Sequence, residues 1–213
     1  MLFLGLLAVL TLWFEDMFLR GVASMRSPFF WIATCFLFLV PALTMRSIAE
    51  ERRTGSLEMI TTLPITPAEL VLGKWLAALT VVAVALSLTL SYPIALSMLG
   101  DLDGGPVRGG YLGLLLLGGA FAAIGIAASS ATTNQVSAFL GALTVCIVPW
   151  LAGFLLPMVP GDWVPVVQYF TFEYHFANLA RGVIDTRSVV FFAATITVAL
   201  HLSVSLLEHR RLS

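Results

Sequence analysis

The chain has 213 residues, of which 59% are hydrophobic and 11% are charged. Soluble globular domains contain about 45–50% apolar and about 25% charged residues. Eleven basic residues stand against twelve acidic residues, so the net charge is -1. This composition excludes a soluble enzyme, a disordered chain and a nucleic-acid-binding protein. It predicts an integral membrane protein whose main surroundings are the lipid bilayer.

Long apolar stretches give the candidate membrane spans. A helix needs about 20 apolar residues to cross hydrocarbon about 30 Å thick. The uncharged stretch 109–161 is long enough for two spans, and the polar segment 129–135 is the predicted turn between them. The predicted spans cover residues 1–14, 28–46, 70–99, 109–129, 136–157 and 188–207. The sequence therefore predicts an all-α integral membrane protein, with one six-span helical bundle as a single domain over residues 1–213.

The first of these spans is short. Residues 1–14 are apolar but reach only about 21 Å as a helix at 1.5 Å per residue. One interpretation is a signal peptide with a cleavage site near Gly21 and Ala23. No basic region precedes the stretch, and charged residues interrupt the approach to that site (Glu15, Asp16 and Arg20). These features favour a first span that is short or truncated, which places both termini on the same side.

Small residues recur at every fourth position of the fourth predicted span. They are Gly119, Ala123, Ala127 and Ala131, and Gly109 with Gly113 adds a Gly-x-x-x-Gly pattern at its start. Such a ladder lets another helix backbone approach closely. It predicts either packing within the bundle, which the pattern favours, or a contact between subunits.

Common catalytic motifs are missing from the sequence. The phosphate-binding loop, the serine hydrolase elbow and the zinc-protease motif do not occur. A proton-coupled secondary carrier or channel is one alternative function. It would need ionisable or broken-helix sites near the middle of the membrane, and the features in its favour are His201 in the last predicted span and the span prolines Pro41, Pro93 and Pro149. An integral-membrane hydrolase is a second alternative. Its candidate residues are Ser129, Ser130 and His175, which the predicted topology places on opposite sides of the membrane.

The polar segment 46–74 contains two helix starts. Thr66 with Glu69 forms a capping box, and Pro67 suits the first position of a helix. The third span is therefore predicted to begin at Thr66, well before its apolar part.

A short helix over residues 56–63 is predicted upstream of that capping box. Gly55 ends the preceding helix, Ser56 is an N-cap candidate, and the new helix ends before Pro64. Leu57, Ile60 and Leu63 give it one apolar edge. The pattern predicts either a helical elbow on the membrane surface or a docking element for a soluble partner.

This segment resembles a known family. The pattern R-x-x-A-E-E-x-x-x-G-[ST]-L-E, followed by L-P-[IV]-T-x-x-E-L-V-L-G-K, is similar to the membrane subunit of type-2 ABC transporters. The matching positions are Arg46, Ala49, Glu50, Glu51, Gly55, Ser56, Leu57, Glu58, Pro64, Thr66, Glu69, Gly73 and Lys74. In that family the segment forms a coupling helix that docks on the ATP-binding subunit. The resemblance implies ATPase docking by Glu50, Glu51, Arg52, Gly55, Ser56, Leu57, Glu58, Ile60, Leu63 and Pro64.

The same resemblance implies the wider assembly. The expected fold is the six-span bundle of type-2 ABC exporters, in a non-catalytic permease that binds no cofactor itself. ATP and magnesium belong to a partner ABC ATPase subunit. A second permease protomer, identical or paralogous, completes the membrane part. The expected location is the bacterial cytoplasmic (inner) membrane, with both termini in the cytoplasm.

The C-terminal part is similar to one branch of this family. Residues 175–192 resemble the H-F-x-N-x-x-R-G-V-I-D-x-R-D stretch of the gliding-motility (GldF-type) permeases, with Ser188 in place of the usual Asp. The permeases of nitrous-oxide-reductase maturation are near relatives. The gliding-motility resemblance also implies a membrane-anchored periplasmic auxiliary protein as a candidate partner.

An outer segment over residues 165–185 precedes the last predicted span. Five residues fall on one helix face and predict its apolar side: Phe172, Phe176, Leu179, Ala180 and Val183. The pattern predicts an amphipathic surface helix, and the family resemblance implies short helices that re-enter the outer leaflet. The candidate residues of this segment are Phe172, His175, Phe176, Asn178, Arg181 and Asp185.

Overall fold

The computed structural model describes residues 25–56, 65–99, 103–158, 160–183 and 185–211. All regular elements in these ranges are helical, which confirms the all-α prediction. They are α1 (Arg26–Thr44), α2 (Ala49–Arg53), α3 (Pro67–Leu88), α4 (Ser91–Leu99), α5 (Gly104–Ala131), α6 (Gln135–Leu155), α7 (Val164–Tyr169), α8 (Phe172–Ala180) and α9 (Thr186–Arg211). Short 3-10 turns at Leu156–Met158 and Gly161–Trp163 connect α6 with α7.

Five helical segments within the described ranges are long and apolar enough to cross a membrane. They are Arg26–Arg53, Pro67–Met98, Gly104–Ala131, Gln135–Met158 and Thr186–His209. They correspond to the second to sixth predicted spans. The predicted span 1–14 lies outside the described residues, as does the predicted helix 56–63 beyond Ser56.

The capping box at the start of α3 forms as predicted. The Thr66 hydroxyl accepts from the backbone N–H of Glu69 at 3.3 Å, and Glu69 Oε2 accepts from the backbone N–H of Thr66 at 2.8 Å. Pro67 occupies the first helical position, where its missing N–H is not needed.

The predicted span 70–99 is divided into α3 and α4 at Thr89 and Leu90. Pro93 explains the break, because it has no N–H to donate to the carbonyl of Thr89 four residues earlier. That carbonyl accepts instead from the backbone N–H of Tyr92 at 3.0 Å and from the Tyr111 hydroxyl at 3.0 Å. The break is thus closed by a side chain of α5.

Helix α5 is the centre of the bundle. Over an apolar stretch of 18 residues in α5, 78% of the residues are buried within the protomer. The buried share of an equally long stretch is 22% in Pro67–Met98 and 17% in both Gln135–Met158 and Thr186–His209. Gly109, Gly113, Gly119, Ala123 and Ala127 are all buried within the protomer. The small-residue ladder is therefore used for packing within the bundle, as favoured by the sequence, except at Ala131, which is exposed.

The turn predicted at 129–135 is shorter than expected. Ser129 and Ser130 are fully buried in the last turn of α5, which continues to Ala131. The Ser130 hydroxyl donates to the carbonyl of Ala127 within the helix at 2.7 Å, so the serine pair does not interrupt it. Asn134 then caps α6 by accepting from the N–H of Val136 at 2.9 Å.

The outer segment contains two short helices, α7 and α8. Phe172, Phe176 and Leu179 form the buried face of α8, as the spacing predicts. Val183 is exposed and does not belong to that face. The reason is that α8 ends at Ala180 and Gly182 adopts a left-handed φ of +83°, which turns the chain away.

Candidate functional site

Residues 45–56, here called the α2 corner, follow α1 and include the first residues of the polar segment 46–74. Helix α2 has only five residues, and its N-cap position is Ile48, whose side chain makes no capping hydrogen bond. Ile48 and Ala49 are fully buried. The first N–H groups of this helix therefore need an acceptor from elsewhere in the protein.

Ser129 of α5 supplies that acceptor. Its hydroxyl oxygen accepts from the N–H of Ile48 at 3.1 Å and from the N–H of Ala49 at 3.0 Å. The same hydroxyl donates to the carbonyl of Met45 at 3.0 Å, just after the end of α1. A hydroxyl has one donor and two acceptor sites, so all three are used. One side chain thus closes both the end of α1 and the start of α2.

A second hydrogen bond joins the corner to α5. Arg52 Nη1 donates to the carbonyl of Ser130 at 2.8 Å. This carbonyl lies in the last turn of α5, where carbonyl groups have no helical partner and where positive charge is favoured by the helix dipole. Arg52 therefore stabilises the C-terminal end of α5 as well as the corner.

An ion pair joins the corner to α3. Lys74 Nζ contacts Glu51 Oε1, and both side chains are about a quarter exposed. Partly exposed pairs contribute about 0–1 kcal/mol, so this contact orients the two helices more than it stabilises them. Glu51 Oε2 is buried and has no hydrogen-bond partner within the described ranges.

The exposed part of the corner is at the C-terminal end of α2. Arg53, Thr54 and Gly55 are exposed. Gly55 has a φ of +75°, which ends α2 as the sequence predicts. The Ser56 hydroxyl donates to the carbonyl of Glu51 at 3.1 Å. The N-cap role predicted for Ser56 involves residues outside the described ranges.

The structure places the predicted docking residues in three groups. Glu51 and Arg52 are directed at α3 and α5, whereas Gly55 is on the surface, and Glu50 and Ser56 are half-buried. Leu57, Glu58, Ile60, Leu63 and Pro64 lie outside the described residues. The contribution of Ser129 to this site was not predicted, because a serine in a polar run fits a turn equally well. Its partners lie 80 and 81 residues away, so no local signal reveals them.

His175 has a different role, at the opposite end of the bundle. Its Nε2 lies 2.9 Å from the Tyr169 carbonyl, and its Nδ1 lies 3.1 Å from the Ser188 hydroxyl. Because a carbonyl only accepts, Nε2 carries the proton and Nδ1 accepts from Ser188. The ring also stacks on Phe191 at 4.1 Å. Burial lowers the pKa of His175, against smaller opposing effects of the Tyr169 hydrogen bond and the Asp185 charge.

The other candidate residues of the outer segment do not form one site. Phe172 and Phe176 are buried in the aromatic packing of α8, whereas Arg181 is exposed. Asp185 Oδ1 accepts from the N–H of Arg187 at 2.9 Å in the first turn of α9. Asn178 is half-buried on α8. Asp185 therefore stabilises the start of α9, and Phe172 and Phe176 hold α8 in the core.

Ser129 and His175 do not meet, which separates the residues of the hydrolase alternative. His175 is in α8, whose buried face packs on Gly113 near the start of α5, and Ser129 is in its last turn. The 16 residues between positions 113 and 129 span about 24 Å of helix at 1.5 Å per residue. The serine that contacts His175 is Ser188, and its side chain is fully buried.

Comparison with known proteins gives one family. The family model described as ABC-2 family transporter protein matches residues 19–206, which is most of the chain. No curated protein matches the chain significantly. The five apolar helices of membrane-spanning length in the described part of the chain agree with such a permease. The chain therefore belongs to the ABC-2 transporter family, as a membrane permease component of an ABC transporter.

Proposed function

We propose that this permease receives the work of ATP hydrolysis from a separate ATPase subunit that docks at the α2 corner. The observation that supports this is the construction of the corner. Arg53, Thr54 and Gly55 present an exposed surface, while Ser129 and Arg52 tie the same corner to the central helix α5. A partner that moves the corner therefore acts on α5.

In this proposal the ATPase subunit binds ATP and magnesium, and this chain binds no cofactor and performs no covalent chemistry. A second permease protomer, identical or paralogous, pairs with this one, and each contacts one ATPase. ATP shifts the permease between two states only if those states differ in their affinity for ATP through the docked ATPase. The corner is the element through which that difference is exerted.

The proposal places the chain in the bacterial inner membrane, with the α2 corner and both termini in the cytoplasm. Helices α7 and α8 then lie on the outer side, as amphipathic or re-entrant helices. The similarity of residues 175–192 to the gliding-motility permeases, with the nitrous-oxide-reductase maturation permeases as near relatives, suggests a membrane-anchored periplasmic protein as a further partner. Identification of that partner is the next step towards the cargo of the transporter, or towards the mechanical work that it performs.

The carrier alternative is less well supported. Ionisable residues of proton pathways face the interior of a bundle or a water-filled cavity. His201 is exposed on α9. His201 is therefore not placed for a proton relay through the interior of this protomer, which leaves the carrier alternative with the span prolines alone.

The docking proposal is tested by two matched charge reversals. Arg53→Glu changes the exposed surface of the corner, and Arg108→Glu changes an exposed arginine near the opposite end of α5. Each full-length variant is purified in mild detergent from its native membrane, and the retained ATPase is quantified. We expect Arg53→Glu to lower retention about tenfold, the effect of losing about 1.4 kcal/mol of binding, and Arg108→Glu to leave it unchanged.

Leu57→Asp extends this test to the predicted apolar edge of the coupling helix and is expected to have a similar effect. Normal retention of the ATPase by both Arg53→Glu and Leu57→Asp would contradict docking at this segment.

The orientation is tested separately with single cysteines. Gly161→Cys lies in open space beyond α6, and Thr54→Cys lies on the exposed corner. An impermeant thiol reagent added to intact cells should label Gly161→Cys and not Thr54→Cys, with the native protein as the background for Cys35 and Cys146. The reverse pattern would overturn the proposed orientation.

A further inference from the structure

We propose that Ser129 is the positioning residue through which the α2 corner moves α5 during the ATP cycle. This inference rests on the proposed docking of an ATPase at the corner. It goes beyond that proposal by assigning the transmission of movement to one hydroxyl group. Three observations support this role. The corner is hydrogen-bonded to α5, helices α1 and α5 are in close contact beside it, and the neighbouring Ser130 hydroxyl makes no such contact with the corner among the described residues.

Three backbone groups of the corner are paired by α5 rather than by the corner itself. The carbonyl of Met45 follows the end of α1, and the N–H groups of Ile48 and Ala49 begin α2. All three bond to the Ser129 hydroxyl, at 3.0–3.1 Å. Ile48 provides no cap. The corner therefore keeps these hydrogen bonds only while the last turn of α5 stays in place beside it.

A close contact one turn earlier in α5 makes the connection stiff. Gly125 lies four residues before Ser129 and thus on the same helix face. A Cβ atom at Gly125 would lie 1.9 Å from the Thr44 hydroxyl oxygen, so the last residue of α1 occupies the space that a side chain would need. Thr44 is itself buried, and its hydroxyl donates to the carbonyl of Val40 at 2.9 Å. Helices α1 and α5 therefore contact each other at Gly125 and are hydrogen-bonded at Ser129.

This arrangement leaves few ways for the corner to move alone. A displacement of α2 relative to α5 breaks the two bonds that Ser129 accepts and the bond that Arg52 donates to the Ser130 carbonyl. The N–H groups of Ile48 and Ala49 belong to fully buried residues, so losing their acceptor without a replacement is unfavourable. Moving α5 together with the corner breaks none of these hydrogen bonds. Docking forces are therefore passed to α5, the helix that contacts most of the bundle.

Ser130 is the matched control. It is the next residue of the same helix and is equally buried. Its hydroxyl donates only to the carbonyl of Ala127 in its own helix. Ser130→Ala removes a hydroxyl oxygen at nearly the same depth. It leaves intact both the bonds of Ser129 and the backbone carbonyl of Ser130 to which Arg52 donates.

The test uses the complete permease–ATPase complex reconstituted in liposomes. Two quantities are measured for the native protein, Ser129→Ala, Ser129→Thr and Ser130→Ala. The first is the amount of ATPase retained, and the second is the factor by which the permease changes the ATPase rate relative to the free ATPase subunit. We expect Ser129→Ala to retain an amount of ATPase within about twofold of the native amount. We expect the factor by which it changes the ATPase rate to be at least about fivefold smaller than the native factor, the lower end of ordinary coupling between sites.

Ser129→Thr keeps the hydroxyl and should restore the modulation, and Ser130→Ala should behave as the native protein. Equal modulation in Ser129→Ala and the native protein would overturn the inference while leaving the docking proposal intact. Loss of ATPase retention in Ser129→Ala would also overturn it, because Ser129 would then only maintain the docking surface. Failure of the native permease to retain an ATPase would instead reject the docking proposal.

A second variant tests the inference in the case that Ser129→Ala does not fold and cannot be purified. Ser129→Cys has nearly the same shape, but a thiol is a weak donor and a weak acceptor. We expect a partial loss of rate modulation with normal ATPase retention. Native modulation in Ser129→Cys would contradict a role for the hydroxyl hydrogen bonds.

Discussion

The two ends of α5 are joined to the bundle by different kinds of contact. At its N-terminal end, Gly109 and Gly113 lie against α8, and Gly110 lies against the ring of Phe29. At its C-terminal end, Gly125 lies against Thr44, and in addition Ser129 and the Ser130 carbonyl hold the α2 corner by hydrogen bonds. Contacts over glycine depend on volume and cannot be rearranged without separating the helices. Hydrogen bonds are directional, so they fix the orientation of the groups they join as well as their distance. The N-terminal end is thus held mainly by packing, whereas the C-terminal end combines packing with hydrogen bonds that orient the α2 corner.

Adding one methyl group to the N-terminal end is the change with the largest expected effect. A Cβ atom at Gly109 would lie 2.2 Å from the backbone carbonyl oxygen of Leu179 and 3.1 Å from Gly182. Because backbone atoms cannot move aside, Gly109→Ala should lower stability by about 3 kcal/mol, the upper end of ordinary overpacking. The measurement is thermal unfolding of the detergent-purified protein.

Gly73→Ala is the control, because Gly73 is also a helical glycine but a Cβ atom added there would meet no atom within 4 Å among the described residues. It should be neutral or stabilising by up to about 1 kcal/mol. An unchanged unfolding temperature in Gly109→Ala would show that α8 is not held by this contact.

At the C-terminal end, Ser129→Ala should act locally. The N–H groups of Ile48 and Ala49 lose their acceptor, so the free energy of opening the corner should fall by about 1–3 kcal/mol. Hydrogen exchange of residues 45–53 should become faster by about one to two orders of magnitude, whereas exchange in α8 should not change. Equal exchange in Ser129→Ala and Ser130→Ala would show that the corner is closed by other contacts.

About two turns into α5, the hydroxyl of one tyrosine provides a weaker contact with the bundle. The Tyr111 hydroxyl donates to the Thr89 carbonyl at the break between α3 and α4, and it also lies 3.1 Å from the Thr89 hydroxyl. Tyr111→Phe should lower stability by about 0.5–1.5 kcal/mol for each hydrogen bond that is lost. Tyr174→Phe removes a hydroxyl from a half-buried tyrosine of α8 and serves as the control in the same unfolding assay. A larger effect at Tyr174 than at Tyr111 would refute the assignment of this bond to the break.

The smallest expected effect is a pH dependence near the N-terminal end. The pKa of His175 is lowered in the folded state, so the unfolded chain binds protons more readily than the folded protein as pH falls below the ordinary value of 6.5. The contribution of neutral His175 to stability is therefore present above that pH and is lost as pH falls through the lowered pKa. Unfolding temperatures at pH 7.5 and 5.5 should differ more for the native protein than for His175→Gln. Equal differences would show that His175 is not the titrating group.

Features that depend on local sequence were predictable. The spans follow from length and apolarity, the start of α3 follows from Thr66, Pro67 and Glu69, and the end of α2 follows from Gly55. The division of the third predicted span was not predicted, because a proline inside an apolar run indicates a kink without showing whether the helix will break. The carbonyl exposed by this break is satisfied by Tyr111, which lies 22 residues further along the chain.

The candidate site was predictable only in part. Exposed Gly55 and the charged residues of α2 belong to a recognisable motif, but the motif does not distinguish the residues that face the bundle from those that face a partner. Glu51 and Arg52 turned out to hold α3 and α5. Ser129 was assigned to a turn, since a hydroxyl that caps a distant helix has the same local sequence as a hydroxyl in a loop.

The missing cap at Ile48 also has a consequence for biogenesis. The hydroxyl that completes the corner is made 81 residues after Ile48, which is about 4–16 s of synthesis at 5–20 residues per second. The corner cannot adopt its final hydrogen bonds until α5 has been inserted beside α1. In the docking proposal, an ATPase that recognises the finished corner binds only protomers whose central helix is already in place, so assembly of the complex would itself select correctly inserted subunits.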